Sequence, residues 1–528
     1  MEWSQAQKEV RTRNAANEDE KQPNIKNFLK VKSHQWSKSS PKWKEATKMI
    51  AKWFVKDTRP ALMVEDEGFR HLMAMLKPEY IVPSANTITS YIEELYIENT
   101  TRIKKELEEL EYVAVTTDGG SSSNCSSFLE VGLHGLMEDF ELKYYNVAVT
   151  EVKEEHTAKN YRKVTDKAVE EFGVKEKVVM TTTDNENKML AAFKDDERTG
   201  CLAHLLHSSV SVGLTKVSEV NDCIKKHRRI VTKHNKSFKI KYGLQEAQKK
   251  RKIKQRPLLQ DVATRWGSTR ASTASFLDHK DDKQDKGQVA DVGSAVFGEE
   301  LAGFVNAQAI NDALRKYKFK KEKLRDYLLT EQDMRRIKNV NTFLTNFDIY
   351  STTLGGNTFV TSSIVMPVIK SLQKHLEASD DDPTYIANMK ALILDDFKTR
   401  VGKYINIPFL LKATALDPRF KKLKVVEDKE GREKVFSLLL SEARRNLDID
   451  NNNDPEAEGE EQLQPEKKRK IGLDFNESDS EGEEDKDALQ REWDNYRAAP
   501  VVSRDEEDIL GWWRSNRRLY PNLARLAR

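Results

Sequence analysis

At 528 residues the chain can bury several hydrophobic cores, and a third of it is charged with nearly balanced sign, a formal net charge of +3. Three cysteines, Cys125, Cys201 and Cys223, exclude a disulfide framework and a self-sufficient four-ligand zinc finger, and they fit a reducing compartment. No apolar run approaches the ~20 residues of a membrane span and the polar opening is no secretory signal, so a soluble intracellular protein with no membrane partner is expected.

In chain order, residues 1–39 are polar and highly charged and read as a disordered arm. Ser40 can then cap a helix whose first position is Pro41, with Trp43, Ala46, Ile50, Trp53 and Phe54 on one face. Helical runs at 67–76, 85–96 and 102–111 follow, giving an N-terminal helical module over residues 40–111. Next comes YVAVTTD at 112–118, with the β-branched content of a buried strand, and two alternating runs at 128–137 and 140–152 that suit antiparallel neighbours. A helix is predicted over 157–172 and a second buried strand over 177–184, closed by an Asn-rich turn that opens another helix.

A β-β-β-α-β order lets the first and fourth strands lie parallel and adjacent, which brings Asp118 and Asp184 to one crevice at the strands' carboxyl ends. Two such carboxylates suit Mg²⁺ or Mn²⁺, and a metal on an acidic crevice serves phosphodiester attack. The plainer alternative is that each aspartate caps a turn. Cys201 and His204 have a metal-like gap but lack two further ligands. Their spacing places them on one face of a helix packed on the sheet, where a buried polar contact is the commoner role.

From 225 to 256 there are fourteen Lys or Arg against one Glu, interleaved with Phe238 and Tyr242. Uniform sign of this kind attracts phosphate, and KKRK at 249–252 also reads as a nuclear-import signal; a solvated face is the alternative. Residues 269–403 carry helical periodicity and few strand signals. Asp417, before Pro418, reads as a turn residue. Residues 447–502 form an acidic, low-complexity linker expected to be disordered, with a second KKRK at 467–470 and Ser478 and Ser480 among acids. Ser503 and Glu506 then make a capping box for a helix carrying Ile509, Leu510, Trp512 and Trp513, and Pro521 starts another with Leu523 and Leu526. Adjacent tryptophans point about 100° apart, so one is expected in the protein's own core and the other free for a partner chain.

The motifs VTTDGGSSS (115–123), EEHTAKN (154–160), TTDNENKM (182–189), CLAHLLH (201–207), DVATRWGST (261–269) and ATALDPRFKKL (413–423), with 57–84 upstream and 508–528 downstream, together resemble hAT-superfamily transposases and the host proteins derived from them. The resemblance spans most of the chain. It implies an α/β protein with a ribonuclease H-like core over 112–268, interrupted by a large all-helical insertion over 269–403 and resumed over 404–446. An N-terminal helical module and a short C-terminal helical dimerisation segment over 503–528 flank it. It also implies that Asp118 and Asp184 are catalytic acids and metal ligands, and that Cys201, His204, Arg265 and Trp266 surround the active site, with Trp266 stacking on a flipped base. Lys249, Lys250, Arg251 and Lys252 are candidate DNA contacts alongside Arg265 and Trp266, and Leu510, Trp512, Trp513 and Leu523 are candidate dimer contacts.

A BED zinc finger precedes this arrangement in relatives, but with the first cysteine at Cys125 no zinc finger is expected here. The sequence also reads as truncated within the dimerisation region, without the Ser-Glu-Arg motif whose glutamate is the family's third catalytic acid. The expectation is a domesticated, transposable-element-derived nuclear protein that binds DNA, forms a homodimer or higher homo-oligomer and does not cut. The alternative is an active hAT-type DNA transposase performing metal-dependent strand cleavage and joining.

Overall fold

The Ser40 hydroxyl accepts the Trp43 N–H at 3.3 Å, Pro41 fills the first helical position, and helix α1 runs Pro41–Lys56 as the sequence predicts. It belongs to the first of two compact units, Met1–Glu109 and Leu110–Arg528. The computed structural model describes residues 35–122, 126–262, 266–277, 304–452 apart from 318, 320, 357 and 358, then 481–503 and 508–528. The readings made for residues 1–34, Cys125, Arg265, 467–470, Ser478, Ser480 and Glu506 lie outside the described residues.

In the first unit, α2 (Glu67–Leu76) and α3 (Ala85–Glu108) join α1 around Trp43, Phe54, Phe69, Tyr80 and Ile88. The Trp43 indole N–H donates to the Ile81 carbonyl at 2.8 Å, so the polar edge of this buried ring is satisfied. The sequence predicts two helices where the structure has one continuous α3. Asn99 and Thr101, which look like a break, instead return hydrogen bonds to the Leu95 and Ile97 carbonyls one turn back, and neither Gly nor Pro interrupts the run.

The second unit opens with a five-stranded mixed sheet in the order β3-β2-β1-β4-β5. Strand β1 is Val113–Ser121, β2 Ser127–Leu136 and β3 Leu142–Glu151; β1 and β2, and β2 and β3, are antiparallel. Helix α4 (Ala158–Glu171), capped by the Thr157 hydroxyl, crosses over to β4 (Val178–Thr183), which lies parallel to β1. The β-branched runs that predict β1 and β4 form the central strand and its parallel neighbour, with Val113, Val115 and Met180 buried. After α5 (Asn187–Ala192) comes β5 (Arg198–Gly200), a strand the sequence reading lacks: Arg-Thr-Gly carries no apolar signal.

Beyond β5 every described element is a helix. Helix α6 (Leu202–Lys216), α7 (Ser218–Lys236), α8 (Phe238–Lys250), α9 (Trp266–Ala274) and α10 (Val305–Lys316) precede α11 (Glu331–Leu354), α12 (Val365–His375) and α13 (Thr384–Val401). The helical part thus starts at Leu202, well before the predicted 269. Helix α6 was expected on the sheet. Its Leu206, Val210 and Leu214 share a core with Phe347, Leu372, Met389 and Ile393, and Ser209 donates to Asp396 of α13 at 2.7 Å.

A further layer consists of α14 (Pro408–Leu416), α15 (Lys429–Asn452), α16 (Glu481–Ala498), α17 (Ile509–Asn516) and α18 (Pro521–Ala527). Composition predicts a disordered linker through residue 502, yet α16 is helical. Leu489, Trp493 and Tyr496 recur at helical spacing and are wholly buried, and that apolar stripe outweighs the charge of the rest. Asp508 caps α17 through the Gly511 N–H at 2.7 Å, in the place the sequence reading gave to Ser503. Asp417 is more than a turn residue: its carboxylate, 2% exposed as a residue, takes the Arg419 guanidinium at 2.7 Å and the Ser363 hydroxyl at 2.8 Å.

Candidate active-site crevice and nucleic-acid interface

Strands β1 and β4 pair in parallel through Thr117 and Thr183, so one further residue on each brings Asp118 and Asp184 side by side where that pairing ends; β1 itself runs on to Ser121 against β2, past the end at Asp118 that the sequence predicts. Each aspartate accepts a nearby backbone N–H at 3.0 Å: Asp118 Oδ1 takes that of Gly119 within β1, and Asp184 Oδ1 takes that of Glu186 in the turn after β4. Each keeps its second carboxylate oxygen without a hydrogen bond among the described residues. At Asp184 the turn-capping role and a ligand role are therefore compatible, whereas Asp118 caps no turn. Hard carboxylate oxygens of this kind fit a divalent ion such as Mg²⁺ or Mn²⁺, though among the described residues no group of three or more His, Cys, Asp or Glu converges as a metal site.

The next element returns the chain to this crevice. The Cys201 N–H donates to the Thr183 carbonyl at 2.7 Å, and Cys201 stands at the N-cap of α6, outside the helix the sequence placed it in. Its thiol is lowered: burial works to raise it, but the His204 ring and the first backbone N–H groups of α6 outweigh that. His204 is raised to about 9, first by its hydrogen bond to Cys201, against desolvation, and then by the charges of Cys201, Asp118 and Asp184. The His204 ring is thus electrostatically coupled to both aspartates, which links their two motifs to that of His204.

Three site residues carry no sequence signal. Arg198 donates to the Asp184 carbonyl at 2.6 Å and to the Thr183 hydroxyl at 2.9 Å, fixing the turn. The Tyr404 hydroxyl, from beyond α13, donates to Asn185 Oδ1 at 2.8 Å. Glu130 lies directly across from Asp118 in the antiparallel ladder, on the same face. Its carboxylate is engaged by Asn146 at 2.7 Å and by the Tyr144 hydroxyl at 3.4 Å. Only the fold reveals the pairing, since it depends on register.

Trp266 does not occupy the role expected for it. It is 4% exposed and packs edge-on against Phe347 in the helical core, so it presents no face to a base. Asp261 of the same motif is structural too, its buried carboxylate accepting from Arg228 at 2.7 Å and from the Thr269 hydroxyl at 3.0 Å, which ties α7 to α9.

The basic segment forms α7, α8 and the turn after them. Part of its charge is spent internally: Lys226 pairs with Asp333 at 2.6 Å, Arg228 with Asp261, and Arg251 with Asp312 at 2.5 Å, which removes Arg251 from the candidate DNA contacts. Lys236, Lys239, Lys241, Lys249, Lys250, Lys252 and Lys254 are exposed and make no ion pair among the described residues. Between α7 and α11 an open cleft of about 670 Å³ is lined by Lys225, Lys226, Arg228, Arg229 and Arg336 against Asp222 and Asp333. The Arg336 Nε is buried with no acceptor among the described residues, and its guanidinium lies 5.8 Å from the Tyr385 ring centre. Cys223, also in this lining, is inert, because burial pushes its thiol up to about 12.

At the C-terminal layer Trp513 is buried, its indole N–H donating to the Leu416 carbonyl at 3.1 Å and its ring stacking on Phe140. Leu523 is 0% exposed. These two candidate dimer contacts are therefore spent on the protein's own core. Trp512 and Leu510 are half-buried, with Trp512 stacked on Tyr520.

Residues 199–279, which span Cys201, His204 and the basic helices, match the family described as ZBED1 RNase-like helical domain, and residues 492–528 match the hAT family C-terminal dimerisation region. Two stretches of the chain are thus similar to parts of hAT-type proteins. The dimerisation match starts at 492, on α16, before the 503 predicted, in keeping with the burial of Trp493 and Tyr496 among the tryptophans of α17. The match supports self-association of the chain through this region. The chain is also similar to the zinc finger BED domain-containing protein 4 of Homo sapiens, 21% identical over 398 residues, 72% of this chain and 31% of that protein. It therefore spans about a third of that relative's length. No helix among the described residues is long and apolar enough to cross a membrane.

Proposed function

We propose that this chain is a nuclear, transposable-element-derived protein that binds DNA, self-associates through α16–α18 and does not cut strands. One observation carries the reading: among the described residues the exposed lysines of α7, α8 and the following turn make no ion pair, and a separate cleft along α7 is lined by four further basic side chains and Arg336. Phosphate oxygens are natural acceptors for such exposed, unpaired ammonium groups. Binding of this kind tolerates sequence and falls steeply with salt.

On this reading the sheet is a ribonuclease H-like core, which the strand order and the paired aspartates support. Asp118 and Asp184 would hold one Mg²⁺ or Mn²⁺, which when bound supplies Lewis-acid polarisation of a phosphoryl oxygen. Transfer through two metals calls for a third carboxylate. Glu130, the acid nearest in register to Asp118, is held by Asn146 and Tyr144, which supports a non-cutting protein. The second reading, an active transposase, is favoured by the register that sets the two aspartates side by side.

Two measurements separate these. Charge reversal at Lys249, Lys250 and Lys252 should lower the slope of log affinity against log salt by about two to three units; an unchanged slope rejects the DNA interface. Incubation with supercoiled plasmid and Mn²⁺ should give no nicking. Nicking that disappears in Asp118→Asn would establish the transposase instead.

A further inference from the structure

We infer that Phe238 and Tyr242 form a stacking platform for unpaired nucleobases, flanked by lysines that take the adjoining phosphates. This deepens the DNA-binding reading and rests on it. Helix α8 buries Ile240, Leu244 and Ala247 against Ala309, Ile310 and Ala313 of α10, which fixes its inner face. Phe238 and Tyr242, four residues apart, stand on the outer side, 81% and 56% exposed. Their rings lie nearly parallel, with centroids 6.3 Å apart and an interplanar angle of 14°.

A single exposed apolar residue is ordinary, but a phenylalanine this exposed beside an aligned tyrosine is a broad aromatic surface held in water. The occupant follows from charge. Lys236, Lys239 and Lys241 surround the pair in sequence, are exposed, and make no ion pair among the described residues. An apolar protein partner would have to desolvate these ammonium groups. A single-stranded nucleic acid supplies π-faces for the rings and phosphates for the lysines at the same time. Phe238 is also the first residue of α8, so the helix's positive end adds to the local potential. With Trp266 buried, this pair takes the base-stacking role that the sequence motif suggested for the tryptophan.

The test compares full-length protein and Phe238→Ala/Tyr242→Ala by fluorescence anisotropy on two labelled probes, a blunt duplex and the same duplex with a single-stranded oligothymidine overhang. The wild type should prefer the overhang. The double variant should lose about tenfold or more in affinity for the overhang, with blunt-duplex affinity within about twofold. Tyr242→Phe, which keeps the ring, should bind as wild type. Both side chains are exposed, so melting temperatures should match, and circular dichroism verifies it. Equal affinities of double variant and wild type on the overhang, or an equal loss on both probes, overturns the platform while leaving the DNA reading in place. A change of sedimentation mass in the double variant would make the pair a self-association surface and also overturn it. Failure of the wild type to bind either probe rejects the DNA reading, and the platform with it.

Discussion

The Tyr404 hydroxyl occupies the space where a side chain on Gly200 would begin, and from there it donates to Asn185 Oδ1 at 2.8 Å. Gly200 ends β5, one residue before Cys201, so a tyrosine from beyond α13 supports the crevice because that position is bare. In Gly200→Ala the hydroxyl and the Asn185 amide must both move. We expect a loss of about 1–3 kcal/mol by denaturant titration. Tyr404→Phe should relieve part of it, since it removes the most crowded atom. A Gly200→Ala protein as stable as wild type would disprove the contact.

His227 gives an acid-sensitive element. It is 0% exposed, its Nε2–H donates to the Ser272 carbonyl at 3.2 Å, and burial pushes its pKa from 6.5 down to about 4. Between those values the unfolded chain binds a proton that the folded chain refuses. This contribution is therefore fully present above pH 6.5 and is lost as pH falls toward 4, up to about 3 kcal/mol. Stability measured against pH should decline over that window in wild type and be flatter there in His227→Gln. Parallel curves for the two proteins would refute the assignment.

The buried pair of Asp417 and Arg419 should be far costlier to break than to replace. Asp417→Ala leaves Arg419, whose side chain is 13% exposed, without its carboxylate, and about 3–5 kcal/mol should be lost. The double replacement Asp417→Ala/Arg419→Met should recover a good part of that. Additive losses in the double-mutant cycle would contradict the pairing.

Trp512 and Trp513 should separate stability from assembly. Trp513→Ala removes a ring packed against Phe140 and Tyr496 and should cost about 3–5 kcal/mol. Trp512→Ala removes only a half-buried ring stacked on Tyr520 and should cost less than Trp513→Ala, but weaken self-association about tenfold or more in sedimentation. Equal loss of stability from both, with unchanged mass, would place the partner surface elsewhere.

What the sequence made legible follows the strength of local signals. Strands β1 and β4, and so the neighbouring positions of Asp118 and Asp184, could be read because Val and Thr accumulate where both faces of a strand are covered. Strand β5 is too short to carry a pattern, and Tyr404 reaches the site through a long-range contact. Trp266 misled because a tryptophan in a polar motif offers the same letter whether it faces solvent or Phe347. Charge masked α16 in the same way: most of its residues are polar, and three buried side chains decided its place. The dimer contacts split for a related reason, since periodicity tells which residues seek burial but not whether the burying partner is the same chain.

The clasp on Glu111 sets the order in which this unit can be completed. Arg525 reaches Glu111 across 414 positions of sequence, Arg528 joins it, and Arg514 bonds the Asp139 carbonyl 375 positions away. Contacts so distant along the chain repay their loop-closure entropy only once everything between them is in place. The start of β1 and the turn around Phe140 should therefore be among the parts of the sheet that are covered late, after the helices between them are in place.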